Sequence, residues 1–117
     1  MAREFSRATR VASEMQKELA MILQRELDSR RLGFATVNEV ALNHDLSVAK
    51  VYFTVLNADD AQKQRSTRYL NEAAPMIRSL MGKKIRLRVL PEIRFYYDDS
   101  IDTGYRISRL LAERDSE

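Results

Sequence analysis

Cysteine is absent from the 117 residues. Its absence excludes disulfides, thiol redox chemistry, a cysteine nucleophile and cysteine-ligated zinc. Histidine occurs once, at His44, which excludes a multi-histidine metal site. No apolar run is longer than a few residues, so nothing reads as a membrane span. The opening Met1-Ala2-Arg3-Glu4-Phe5-Ser6-Arg7 lacks the apolar stretch of a signal peptide. The expectation is a soluble, cytoplasmic protein with no membrane partner. Glycine occurs three times and proline twice, so each breaker marks a position of consequence. No cluster of glycines precedes a helix, so there is no phosphate-binding loop, and no Gly-x-Ser-x-Gly elbow exists. An activated nucleophile needs a neighbouring base, and the single histidine falls in a turn. These absences argue against an enzyme.

What is present is an ordinary globular composition, 44% hydrophobic and 32% charged, at a length that suits one domain over residues 1–117. The net charge of +3 is unevenly spread. Residues 63–94 carry nine basic and two acidic groups, whereas residues 32–62 carry one and four, and residues 95–117 three and six. Such segregation creates a local positive field, which is the electrostatic footprint of nucleic-acid binding. Solvated helix and strand faces are the bland alternative.

The periodicity predicts a long amphipathic helix over 7–29, with Val11, Met15, Leu19, Ile22, Leu23 and Leu27 at spacings of three and four. Arg3, Arg7, Arg10, Lys17 and Arg25 fall on the opposite face, interrupted by Glu14. Strands are expected at 36–42 and 47–56, joined by Asn43-His44-Asp45 as an antiparallel hairpin. In the second strand Ala49, Val51, Phe53 and Val55 share one face. A helix over 59–74 opens at Asp59-Asp60 and is interrupted at Pro75. Proline removes one backbone bond and pushes Ala74 away from helical geometry. Helical spacing resumes through Met76, Ile77, Leu80 and Met81, with Gly82 as the expected C-terminal stop. Residues 85–90 alternate like a strand until Pro91 intervenes, and the true third strand is expected at about 92–98. Asp98-Asp99-Ser100 then caps a last short helix holding Ile101, Leu110 and Leu111. The order α-β-β-α-kink-α-β-α predicts a right-handed crossover that sets the second and third strands parallel, and a small α+β domain of three strands covered by helices on one face.

Two constellations carry possible chemistry. Asp98, Asp99 and Asp102 could hold a hard cation, but capping and dipole complementation explain them better. Tyr96 and Tyr97 could stack on bases, although alternation sends at least one of them into the core. The stronger signal is the basic group of Lys63, Arg65, Arg68, Arg78, Lys83, Lys84, Arg86, Arg88 and Arg94. Guanidinium forks match phosphate oxygens bidentately. Backbone contact of this kind requires no sequence code.

The opening Arg3-Glu4-Phe5-Ser6-Arg7, with Arg10-Val11-Ala12 and Gln16-Lys17-Glu18-Leu19-Ala20, resembles the start of the bacterial ribosome-binding factor A family. Lys50-Val51-Tyr52-Phe53 and Ile77-Arg78-Ser79-Leu80-Met81-Gly82-Lys83 are similar too. The most specific stretch runs from Arg86 to Ser100 and includes Pro91-Glu92, the aromatic pair Tyr96-Tyr97 and Asp98-Asp99-Ser100. The resemblance implies a type II KH-like fold. It also implies a non-enzymatic assembly factor that binds the free or immature small (30S) ribosomal subunit. Such a factor assists late maturation and processing of 16S rRNA and supports growth in the cold. The expected partners are 16S rRNA and the small subunit rather than DNA, with the chain a monomer and no cofactor or metal. RNA contact is expected at Arg3, Arg7, Arg10, Lys17, Arg78, Lys83, Lys84, Arg86 and Arg88. KH domains carry Gly-x-x-Gly between their two central helices, and this family resembles Ala-x-Gly there. The matching triplet is Ala73-Ala74-Pro75, with proline where glycine is expected. Alternatives are a generic KH-like module for single-stranded RNA and a protein-interaction module.

Overall fold

The computed structural model describes residues 7–99. Helix α1 spans Arg7–Arg25 and buries Val11, Met15, Leu19, Ile22 and Leu23, the stripe that the sequence spacing predicts. It ends earlier than expected. Leu27 is still buried, but in a turn, and Asp28 then caps a separate one-turn helix, α2, Ser29–Leu32. The Asp28 carboxylate accepts the Arg30 N–H at 2.9 Å, which diverts the chain into a new helix start. Gly33 closes α2 at φ 85° and ψ −171°, a conformation that a side chain would strain.

Strands β1 (Ala35–Leu42) and β2 (Val48–Val55) pair antiparallel, and β2 pairs parallel with β3 (Glu92–Tyr97), in the order β1-β2-β3. His44 is an exposed turn residue, as the hairpin reading requires. The β1–β2 register shifts between Val37 and Glu39. Gln16 of α1 donates to the carbonyls of Val37 and Asn38 at 3.3 and 3.2 Å, which occupies the backbone acceptors around that bulge.

Ala49, Val51, Phe53 and Val55 meet the helices, together with Ile93 and Phe95 of β3. Phe53 packs edge-on against Phe95 and Tyr97, at 6.3 and 5.2 Å between ring centres. Tyr97 is the inward member of the tyrosine pair. Its hydroxyl accepts the Val55 N–H at 3.0 Å and donates to the Val55 carbonyl at 3.2 Å. Tyr96 faces the other way and is exposed.

Helix α3 runs unbroken from Asp60 to Gly82, with Asp59 accepting the Gln62 N–H as its cap. The kink position that the sequence marks, Ala73, Ala74 and Pro75, lies inside this one helix and does not end it. A proline deletes only one intrahelical bond, here the one to the Asn71 carbonyl. Its ring lies on the exposed side, while Ala73 and Ala74 lie against the core. Leu70, Ile77 and Met81, on both sides of it, are completely buried in one hydrophobic cluster. Packing on a common sheet outweighs one missing bond. Residues 85–90 alternate like a strand but form none, and the third strand begins after Pro91 as expected. The expected last helix lies outside the described residues.

Two polar features tie α3 to its neighbours. Ser66, fully buried, donates to the Leu32 carbonyl at 2.7 Å and so satisfies the end of α2. Asn71 accepts the Phe95 N–H at 2.8 Å and donates to the Phe95 carbonyl at 3.0 Å. The free edge of β3 is therefore occupied at its centre by a side chain of α3, which blunts it against further pairing.

Candidate nucleic-acid interface

The segment between α3 and β3 carries the densest basic charge. Lys83 continues the helical geometry of α3 (φ −76°, ψ −17°), so Gly82 is not needed as a left-handed stop. Its value is room instead: a Cβ at Gly82 would stand 2.5 Å from Cδ1 of Leu90. Lys84 and Ile85 donate their N–H groups to the Met81 carbonyl at 2.9 and 3.0 Å. Ile85 and Pro91 are buried, and Leu87 and Leu90 pack against the core. Between these anchors Lys83, Lys84, Arg86 and Arg88 are exposed. Apolar residues thus hold the loop down at intervals and leave its cations outward, which is what the alternation encodes in the absence of a strand.

Arg78 is placed differently from the other predicted contacts. It is half-buried, and its Nε donates to the Pro91 carbonyl at 3.0 Å and its Nη2 to the Leu90 carbonyl at 2.7 Å. A guanidinium presents two donors in a rigid fork, and here the fork clamps the far end of the loop. A shallow open groove of about 680 Å³ lies between Arg78 and the loop. Sequence reasoning grouped Arg78 with the outward cations because nothing in the spacing distinguishes the two roles.

Other basic residues of the stretch are also engaged. Arg94 forms a two-pronged pair with Glu92 at 3.1 and 3.3 Å. The Arg94 hydrogen bond holds the Glu92 carboxyl below its ordinary range. Lys63 pairs with Asp99 at 3.3 Å, which raises its pKa. Arg65 donates to Gln62 at 2.9 Å. Among the described residues, Lys83, Lys84, Arg86, Arg88 and Arg68 make no such bond. Asp98 accepts from Asn38 at 3.1 Å, so both described members of the carboxylate cluster have protein partners; Asp102 lies outside the described residues. No group that could hold a metal ion occurs among the described residues.

Arg7, Arg10 and Lys17 are exposed on α1, opposite its buried stripe; Arg3 lies outside the described residues. Leu42 pairs with Ala49 and Val48 with Glu92, so the ends of β1 and the starts of β2 and β3 share one end of the sheet. Helix α3 descends to that end, and the cationic loop sits there. Gln16, midway along α1, touches Val37 and Asn38, and the C-terminus of α1 connects back to Ala35 at the opposite end. The N-terminal half of α1, with Arg7 and Arg10, therefore points toward the end that holds the loop.

The element order, one antiparallel and one parallel strand pair, and helices α1 and α3 against one sheet face define a small α+β protein of type II KH-like fold. A family model described as ribosome-binding factor A matches residues 7–111. A ribosome-binding factor A from Shewanella frigidimarina is 47% identical over 113 residues, which is 97% of this chain and 79% of the relative. The crystal structure of ribosome-binding factor A from Thermus thermophilus superposes with a TM-score of 0.68 at 26% identity, covering 77% of this chain and 93% of that one. A Thermus thermophilus ribosome binding factor A homology model, fitted into the cryo-EM map of a complex with 30S, gives 0.65 at 25% identity, covering 78% and 94%. The chain belongs to the ribosome-binding factor A family. Among the described residues no helix is long and apolar enough to cross a membrane.

Proposed function

We propose that this chain binds the free or immature small (30S) ribosomal subunit through 16S rRNA and assists its late maturation and processing, with a role in growth in the cold. It acts without catalysis, as a cytoplasmic monomer formed from one domain. The observation that carries this reading is the loop bearing Lys83, Lys84, Arg86 and Arg88, exposed and held by buried anchors. Cations on a fixed scaffold meet a phosphate backbone with little ordering cost. Arg7, Arg10 and Lys17 extend the field along α1, and Arg3 is a further contact in this reading. In this reading Arg78 contributes by shaping the loop. Membership of the family and a relative seen with 30S support the choice of partner.

A KH-like module gripping single-stranded RNA at the helix junction has less support. Ala73, Ala74 and Pro75 lie inside a continuous helix, so no loop backbone is offered to a phosphate there. Sedimentation tests the main reading: the chain should travel with free small subunits and not with full ribosomes. Finding it in neither fraction would favour a protein-interaction module.

A further inference from the structure

The cationic loop does not account for the opposite side of β3. Tyr96 lies there, 38% exposed, on the sheet face turned away from the helices. Its ring stacks on the buried Tyr52, with centres 5.7 Å apart and planes 28° from parallel. An exposed ring backed by a buried one is held in place, and its remaining surface is available without prior ordering. Beside it opens a groove of about 530 Å³, which follows the free edge of β3 to Lys63, Gln64, Thr67 and Arg68 of α3. That volume lies within the usual range for a small-molecule-sized occupant.

The side chains of the groove differ in what they can offer. Lys63 is committed to Asp99 and lies over the Tyr97 ring, 5.2 Å from its centre. Thr67 donates its hydroxyl to the Lys63 carbonyl at 2.8 Å. Arg68 is exposed and has no hydrogen-bond or ion-pair partner among the described residues. A flat aromatic surface and a fork-shaped cation thus flank one groove. Planar bases stack on such rings regardless of sequence, and guanidinium groups take phosphate oxygens bidentately.

We propose that this groove receives one unpaired RNA nucleotide, its base stacked on Tyr96 and its phosphate on Arg68. The site rests on the reading of the chain as an RNA binder, and it adds a preference: rRNA with a looped-out or single-stranded nucleotide at the opposite end of β3 from the loop that carries Lys83–Arg88. The cationic loop grips backbone, whereas Tyr96 requires a base that is free to leave its stack.

The test uses the full chain with two probes, a uridine hexamer and a 12-base-pair RNA duplex, at low salt. NMR should show the Tyr96 ring resonances moving with the hexamer. Tyr96→Ala should weaken hexamer binding about tenfold, within the range for loss of one stacked base. Tyr96→Phe should restore it, and Arg68→Gln should weaken it severalfold. Duplex affinity should not change with Tyr96→Ala. Equal loss on both probes would mean that the ring serves the fold and would overturn the site. So would parental hexamer binding by Tyr96→Ala, or absence of hexamer binding by the parent chain. Co-sedimentation with small subunits, measured beside these titrations, separates the two ideas: its persistence leaves the function standing if the site fails.

Discussion

Replacing Arg78 by methionine distinguishes a clamp from an RNA contact. Methionine keeps much of the apolar stem and removes every donor. Two hydrogen bonds disappear, at 2.7 and 3.0 Å to the carbonyls of Leu90 and Pro91. A bond from a charged donor contributes roughly 1.5–3 kcal/mol. Because Arg78 is half-buried and the released carbonyls regain some water, the low end applies, and the loss should total about 2–3 kcal/mol. For a domain of this size that lowers the melting midpoint by roughly 10 °C. Arg78→Lys retains one compact donor and should fall between the two. Amide exchange should speed up in 85–90, since Leu90 and Pro91 are no longer held. Small-subunit binding should weaken with it, because the loop must then be ordered on contact. Circular dichroism melts beside sedimentation binding provide the readout. Parental melting with binding abolished would refute the clamp and return Arg78 to the group of direct contacts.

Changing Lys83, Lys84, Arg86 and Arg88 together to glutamine should leave the midpoint nearly unchanged, because exposed substitutions usually cost less than about 0.5 kcal/mol each. Small-subunit binding should collapse, and the parental log–log salt slope, on the order of −3 to −5 for about four to six phosphates, should flatten. Asn71→Ala removes the bonds to the N–H and carbonyl of Phe95 and should cost about 1–2 kcal/mol in urea denaturation. Asn71→Asp keeps only the acceptor and should be intermediate. Gly33→Ala forces a side chain to φ 85° and puts its Cβ 2.7 Å from Val55 Cγ1, so it should destabilise by about 2–3 kcal/mol; a neutral result would deny that this backbone geometry is required. The pH dependence follows from carboxyls held low in the folded chain. The Ser47 hydroxyl and N–H lower Asp45, the Arg30 N–H lowers Asp28, and the Arg94 guanidinium lowers Glu92. Near pH 4, where unfolded carboxyls titrate, the unfolded chain binds more protons. Their contribution is present above that pH and is lost as pH falls through the lower folded values. Urea midpoints should therefore decline below about pH 4, and a flat profile down to pH 3 would count against these bonds.

Periodicity alone was enough for the order of the three strands and the two long helices, the buried stripe of α1, the inward set of β2 and the placement of the third strand after Pro91. These rest on which side of a helix or strand meets water, and that is written in the spacing of apolar residues. The concentration of positive charge in 63–94 was equally legible, since it needs only counting. Which of those charges face outward was not. Arg78 and Arg86 look alike in the chain, yet one holds carbonyls twelve and thirteen residues away and the other is exposed. The bond of Asn71 to β3 spans 24 residues, and that of the Tyr97 hydroxyl to Val55 spans 42. Pro75 reads locally as a break, and only packing of Leu70, Ile77 and Met81 on a shared sheet keeps the helix continuous. A polar side chain has no period that names its partner. Its role is set by whichever donor or acceptor the folded chain brings within about 3 Å, and that distance is decided by tertiary structure.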